Sequence, residues 1–270
     1  MLTILWNRNN LCEDAVRQSL MECVPEGVGI SADIPPDICL SVAKQLPIYI
    51  YDTGLYLDRA EDGEIAAAVE FADKLLTQKV LLSVGYSCDR GKDESFFAER
   101  LLEIKKRFLQ RGISVLLSNR RPYIPGESVS VDKLVRLCKG AGIKIAHDIG
   151  ASHVEEHALE NYFDLRSETA ALLLNDNFGE DYFDSTGQND KSSGDIMLQP
   201  GYGNAPFVKI FEDVQKNLPY LPLIINGKRH QNASLKTVFE DTQILLEGRV
   251  YYIPLGACLS KNENGRIMRR

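Results

Sequence analysis

The chain has 270 residues, 44% of them hydrophobic and 26% charged, and a formal net charge of -7. An acidic balance excludes non-specific binding to DNA or RNA, which needs a basic surface to neutralise phosphates. No apolar stretch reaches the ~18 residues of a membrane span, MLTILWNRNN does not read as a leader, and six scattered cysteines without a CxxC pair favour neither zinc nor disulfides, so a cytoplasmic, reduced protein is expected.

Eight short apolar runs follow one another: LTILW (2–6), GVGIS (27–31), PIYIY (47–51), KVLLS (79–83), ISVLL (113–117), IKIAH (143–147), TAALLL (169–174) and PLII (222–225). Helix-like stretches separate them. Pro35-Pro36 opens one, since proline is tolerated in a first helical turn. Gly63 to Thr77 is Ala-rich and suited to close packing. Asp93 is placed to cap FFAERLLEIKKRFLQR, which Gly112 closes, with Phe97, Leu101, Ile104 and Phe108 on one stripe. Asn204 is placed to cap a helix after Gly201 and Gly203. Ser234 caps LKTVFEDTQILLE, and Gly248 ends it. VYYI at 250–253 reads as an extra strand.

Strands alternating with helices imply βαβ units and a parallel sheet. Eight units in a chain of this length predict a single (β/α)8 TIM barrel over 1–270, a parallel eight-stranded barrel with outer helices. Such barrels build their sites at the C-terminal strand ends. The residues there are Trp6 and Asn7, Ser31 and Asp33, Asp52, Ser83, Ser118 and Asn119, Asp148, Asn175 and Asp176, and Asn226. Most connections are short. The exception is 177–203, rich in Asp, Ser, Gly and Asn, which reads as a lid over the functional face, with Phe178, Tyr182, Phe183, Met197 and Tyr202 as its contacts, or else as a surface excursion.

Other constellations weigh less. His153 and His157 share a helix face and read as solvated. His147 precedes Asp148 on a strand, so it faces the outer helices. Lys228, Arg229, Arg120 and Arg121 are loop cations at the mouth end of the barrel, and His230 follows in the eighth loop.

Three local patterns carry a family resemblance. IAHDIGASHV (145–154) resembles a strand ending in Asp-Ile-Gly-His. LLLNDN (172–177) with DIMLQPGYG (195–203) resembles His-Leu-His-Asp-Asn followed by Asp-x-His and a Pro-Gly-x-Gly turn. PLIINGKR (222–229) resembles a last strand that ends in glutamate. Together with the layout, these resemble the xylose-isomerase-like barrels, a superfamily of sugar isomerases, epimerases, inositol-catabolism dehydratases and endonuclease IV enzymes.

The resemblance implies Glu, Asp and His metal ligands at strand ends. Residue by residue, the matching positions hold Ser83, Ser118 with Asn119, Asp148, Ala151, Leu173 or Asn175, Asp195 with Met197, and Asn226. Mg²⁺ and Mn²⁺ need anionic oxygens, and neutral amides are poor replacements for glutamates. The resemblance therefore implies a member whose metal site is eroded, with no cofactor and a tight divalent metal disfavoured.

The expected function is an isomerase or epimerase acting on a small sugar, polyol or sugar acid. Asp148, Asp176 or Asp195 would serve as base, and Lys228 would supply positive charge. Trp6, Asn7, Ser118, Asn119, Asn175, Asn226 and His230 would bind substrate. The rival is a non-catalytic small-molecule-binding or regulatory barrel. A repair nuclease fits worst, since it needs several metals and a basic groove. The expected partner is a small sugar or polyol, with no nucleic acid and no membrane; a homo-oligomer and the tail 249–270 stay open.

Overall fold

A computed structural model describes residues 1–6, 27–85, 94–120, 130–179, 197–227 and 234–248, and the backbone of two tail strands at 259–261 and 267–269. The elements run β1 (Leu2–Trp6), β2 (Val28–Ser31), α1 (Pro36–Ala43), β3 (Ile48–Tyr56), α2 (Asp62–Lys74), β4 (Lys79–Ser83), α3 (Glu94–Leu109), β5 (Ser114–Ser118) and α4 (Val131–Ala141). They continue as β6 (Lys144–Asp148), α5 (Ile149–Val154), α6 (Ala158–Leu165), β7 (Thr169–Leu174), α7 (Phe207–Asn217), β8 (Leu223–Ile225) and α8 (Leu235–Leu246).

Strands β1 to β8 pair in sequence order, all parallel, and close when Leu2, Thr3 and Ile4 pair with Leu223, Ile224 and Ile225. The expected eight-stranded barrel is therefore the fold. In the tail, β9 (Leu259–Lys261) and β10 (Ile267–Arg269) form a separate antiparallel pair. VYYI lies outside the described residues. No helix among the described residues is long and apolar enough to cross a membrane.

Two apolar layers hold the wall. Leu5, Ile50, Leu81, Leu116, Ala146, Ala171, Leu173 and Ile224 cluster in the lumen. Alternate residues of the same strands, such as Ile4, Ile30, Val80, Leu117, Ile145 and Ile225, pack outward against the helices. Successive side chains of a strand face opposite sides, so each strand feeds both layers. The lumen is filled by mixing sizes: a Cβ on Gly29 would lie 2.9 Å from Leu5 Cδ1. Gly29 thus leaves the room that Leu5 occupies.

The helices start and stop where local chemistry directs. Ser234 accepts from Thr237 N at 3.0 Å as the N-cap of α8. Pro36 opens α1. In α2 the start is a capping box between Glu61 and Glu64, not Gly63. Phe97, Leu101, Ile104 and Phe108 form the buried stripe of α3, while Asp93 lies outside the described residues. Asn204 does not cap α7, whose N-cap is Pro206; its Oδ1 instead meets His153 Nε2 at 2.7 Å.

Candidate functional site

Strand alternation builds the mouth. Two residues beyond each lumen-facing Gly29, Ile50, Leu81, Leu116, Ala146, Leu173 and Ile224 stand Ser31, Asp52, Ser83, Ser118, Asp148, Asn175 and Asn226. Every one of them is buried. A ring of hydroxyl, amide and carboxylate groups thus caps an apolar plug. Such a ring presents donors and acceptors to a hydroxylated molecule and little apolar surface.

Across this ring runs one charged bridge. Arg120 Nη2 donates to Asp52 Oδ2 at 2.8 Å, and Arg120 Nε lies 3.6 Å from Asp148 Oδ2. Asp52 comes from β3 and Asp148 from β6, so the guanidinium spans between two separated strands. Burial works against its charge, but the Asp52 and Asp148 carboxylates outweigh burial and hold Arg120 protonated. The second oxygen of each carboxylate is also used: Asp52 Oδ1 accepts from Gly54 N at 3.2 Å, and Asp148 Oδ1 from Ala151 N at 3.0 Å.

Behind the ring, Asn119 locks β5 to β6. Its Oδ1 accepts from Asp148 N at 2.7 Å, and its Nδ2 donates to Asp148 O and Ser152 Oγ, both at 3.1 Å. The backbone donor fixes the amide orientation. Ser152 Oγ receives a second amide from Asn161 at 3.3 Å and meets His147 Nε2 at 2.9 Å. Burial pushes His147 down to about 3. It faces the helices, as strand alternation requires.

The end of β7 is built for a different purpose. Asp176 lies one residue past the lumen-facing Asn175 and turns outward. Its Oδ2 accepts from Gly201 N and Gly203 N at 2.9 Å, and its Oδ1 from Asn177 N at 2.9 Å and Ala205 N at 3.0 Å. Burial raises its carboxyl to about 7 while the four amides pull the other way. A Cβ on Gly203 would sit 2.3 Å from Asp176 Oδ1 and 2.2 Å from Asn177 O, so only glycine fits this fold-back. Leu198 pairs with Asp176 through two backbone bonds, and Gln199 Nε2 donates to Asp241 Oδ2 on α8 at 3.1 Å.

The geometry places three of the expected site residues away from the lumen. Trp6 packs with Ile4 in the helix-facing cluster, because the lumen position of β1 belongs to Leu5. Asn119 points to the same outer side and serves as the β5–β6 clamp. Asp176 is committed to backbone amides and does not face the lumen. Ser118, Asp148, Asn175 and Asn226 do line the mouth together. Asn7, Asp195, Lys228 and His230 lie outside the described residues, as does 180–196 of the expected lid. Its described ends are tied to Asp176 and α8, where Tyr202 hydrogen-bonds to Asp241.

The sequence marks Arg120 only as a loop cation. Its role depends on an ion pair to a residue 68 positions away, which no local pattern reveals. The same bridge decides the fit of a divalent ion. Among the described residues no three His, Cys, Asp or Glu side chains are placed to hold a metal. Among the described residues of the ring, the two carboxylates already face a guanidinium, and the remaining donors are neutral. This donor set does not fit the metal that the resemblance implies.

No family model matches the chain, and no curated protein matches it. Solved structures do. A xylose isomerase domain-containing protein from Salmonella typhimurium LT2 superposes with TM-score 0.67 at 13% identity, covering 91% of this chain and 96% of that one. The apo 3-keto-D-glucoside 4-epimerase YcjR from E. coli gives TM-score 0.64 at 11% identity, over 90% of this chain and 98% of its own. The zinc-bound IolI protein gives 0.65 at 10% identity, over 93% and 99%. At identities this low the likeness is one of fold, and it covers the barrel end to end. The chain therefore has a TIM-barrel fold like that of xylose isomerase-like proteins.

Proposed function

We propose that the barrel mouth binds a small, neutral, hydroxyl-rich molecule, a sugar or polyol, and acts on it as an isomerase or epimerase. The observation that carries this reading is the polar ring bridged by Asp52, Arg120 and Asp148. Three hydroxyls and two amides suit a ligand with many hydroxyls. Two carboxylates against one guanidinium leave the described ring net negative, which favours a neutral sugar over a sugar acid. The sugar epimerases among the structural neighbours support the same substrate class.

The chemistry this arrangement supports is proton transfer next to a carbonyl. Asp148 would take the proton, and Arg120 would stabilise the oxygen on which negative charge develops. Buried, free Cys39 and Cys138 suit the reducing cytoplasm in which such an enzyme would work.

The test is a panel of ketopentoses, ketohexoses and cyclic polyols incubated with the protein in D₂O. Proton NMR should show loss of a C–H signal beside a carbonyl, and Asp148→Asn should abolish it. Saturable binding without exchange would favour the binding-barrel reading. Absence of both binding and exchange across the panel would overturn the proposal.

A further inference from the structure

We infer that Arg120 is the resident cation of the barrel mouth: the guanidinium bridging Asp52 and Asp148 takes the charge position a divalent metal would need, and keeps such metals out. The inference stands on the bridge geometry and does not depend on which molecule the mouth binds.

The ring of described strand-end residues offers two anionic groups, Asp52 and Asp148. Both face the same guanidinium, at 2.8 Å from Asp52 Oδ2 and 3.6 Å from Asp148 Oδ2. A divalent ion bridging these oxygens would displace the arginine or lie against it as a like charge. An arginine does not relieve that conflict by losing its proton, as a lysine can. Nor is its backbone free to swing away. Arg120 N donates to Ser118 Oγ at 3.2 Å, and the preceding Asn119 is clamped to the backbone of Asp148 from both sides. The side chain is therefore launched into the lumen from a fixed base.

The guanidinium also has a second edge, turned away from Asp52. Arg120 Nη2 is committed to Asp52, whereas Nη1 has no partner among the described residues. A planar fork that is not saturated by its two carboxylates can direct an N–H at a ligand oxygen with defined geometry, as a metal would through coordination. The mouth thus carries its positive charge covalently.

The test uses Mn²⁺ alone, with the free ion read from its EPR signal, on the full-length protein at pH 7. Wild type should leave the Mn²⁺ signal unquenched through millimolar concentrations, and its melting temperature should not rise with added Mn²⁺. Arg120→Gln, which keeps a donor for Asp52 but removes the charge, should gain Mn²⁺ affinity by at least about tenfold. Asp148→Asn added to that variant should abolish the gain.

Stoichiometric Mn²⁺ binding by wild type that Asp148→Asn removes would overturn the inference. So would an Arg120→Gln variant that folds and gains nothing. If Arg120→Gln does not fold, Arg120→Ala prepared with millimolar guanidinium ion supplies the second arm: Mn²⁺ and guanidinium should compete, and lack of competition counts against the inference. If neither variant folds while Arg120→Lys does, the bridge is only a structural tie and the inference is wrong.

Discussion

Two aspartates at neighbouring strand ends look alike in sequence and do different work. Asp148 ends β6 and Asp176 follows β7, and both are buried. Asp148 spends one oxygen capping α5 and turns the other toward Arg120 in the lumen. Asp176 sits one residue beyond the lumen position and spends both oxygens on four backbone amides. In a closed barrel, position along the strand decides which carboxylate meets a ligand; charge does not. The β6 end faces the mouth, and the β7 end is the knot that holds the wall beside it.

If that contrast is right, the largest effect on folding lies at the knot. Asp176→Asn keeps one acceptor and turns an amide NH₂ toward backbone N–H donors. Leaving buried donors unpaired costs about 1–3 kcal/mol each, so a loss of about 3–4 kcal/mol is expected. Urea denaturation would measure it. A loss below about 1 kcal/mol would show that the loop does not depend on Asp176 and erase the contrast. Next in size is Gly203→Ala, whose Cβ would press on Asp176 Oδ1 and Asn177 O. Forcing backbone apart there should cost about 1–3 kcal/mol, read from the same denaturation curves.

How far these two ends could be read from the chain follows from the same geometry. Period-two alternation and the βα rhythm are local, so the barrel, its eight strands and the polar identity of their last residues were legible. Which strand-end residue faces inward was not. Trp6 and Asn7, or Ser118 and Asn119, are adjacent, and a one-residue difference in phase sends a side chain to the opposite layer. Asn119 thus became a clamp and Trp6 a core residue. The Asp52–Arg120 pair and the Asp176 knot join distant segments, which no local signal marks. β3 also runs on to Tyr56, so Asp52, placed at a strand end by the sequence, lies within the strand.

A smaller effect sharpens the comparison from behind the β6 end. His147 is neutral in the folded protein down to about 3, against 6.5 in the ordinary state, because it is buried. A group with a depressed folded pKa that charges in the unfolded chain contributes its stability above 6.5 and loses it as pH falls. Between pH 7 and pH 5 this amounts to about 2 kcal/mol. His147→Gln should lack this component, so the stability gap between wild type and variant should shift toward the variant on acidification. Parallel pH profiles for the two proteins would mean that burial does not hold His147 neutral.

The smallest effect on folding belongs to Asp148 itself, and it is the one that separates site from scaffold. Asp148→Asn keeps an oxygen to cap α5 and leaves the backbone bonds to Asn119 in place. It removes one carboxylate from Arg120, which retains Asp52 at 2.8 Å. The fold should lose about 1 kcal/mol, since a partly exposed guanidinium keeps its stronger partner. Ligand affinity should respond far more, because the group removed faces the lumen: at least about a tenfold fall for any neutral polyol that binds wild type, measured by titration calorimetry. Asp176→Ser, offered to the same ligand at a temperature where it stays folded, should bind nearly as wild type does. Should the two substitutions exchange these behaviours, with Asp148→Asn unfolding the barrel and Asp176→Ser losing the ligand, the assignment of site and knot would be reversed.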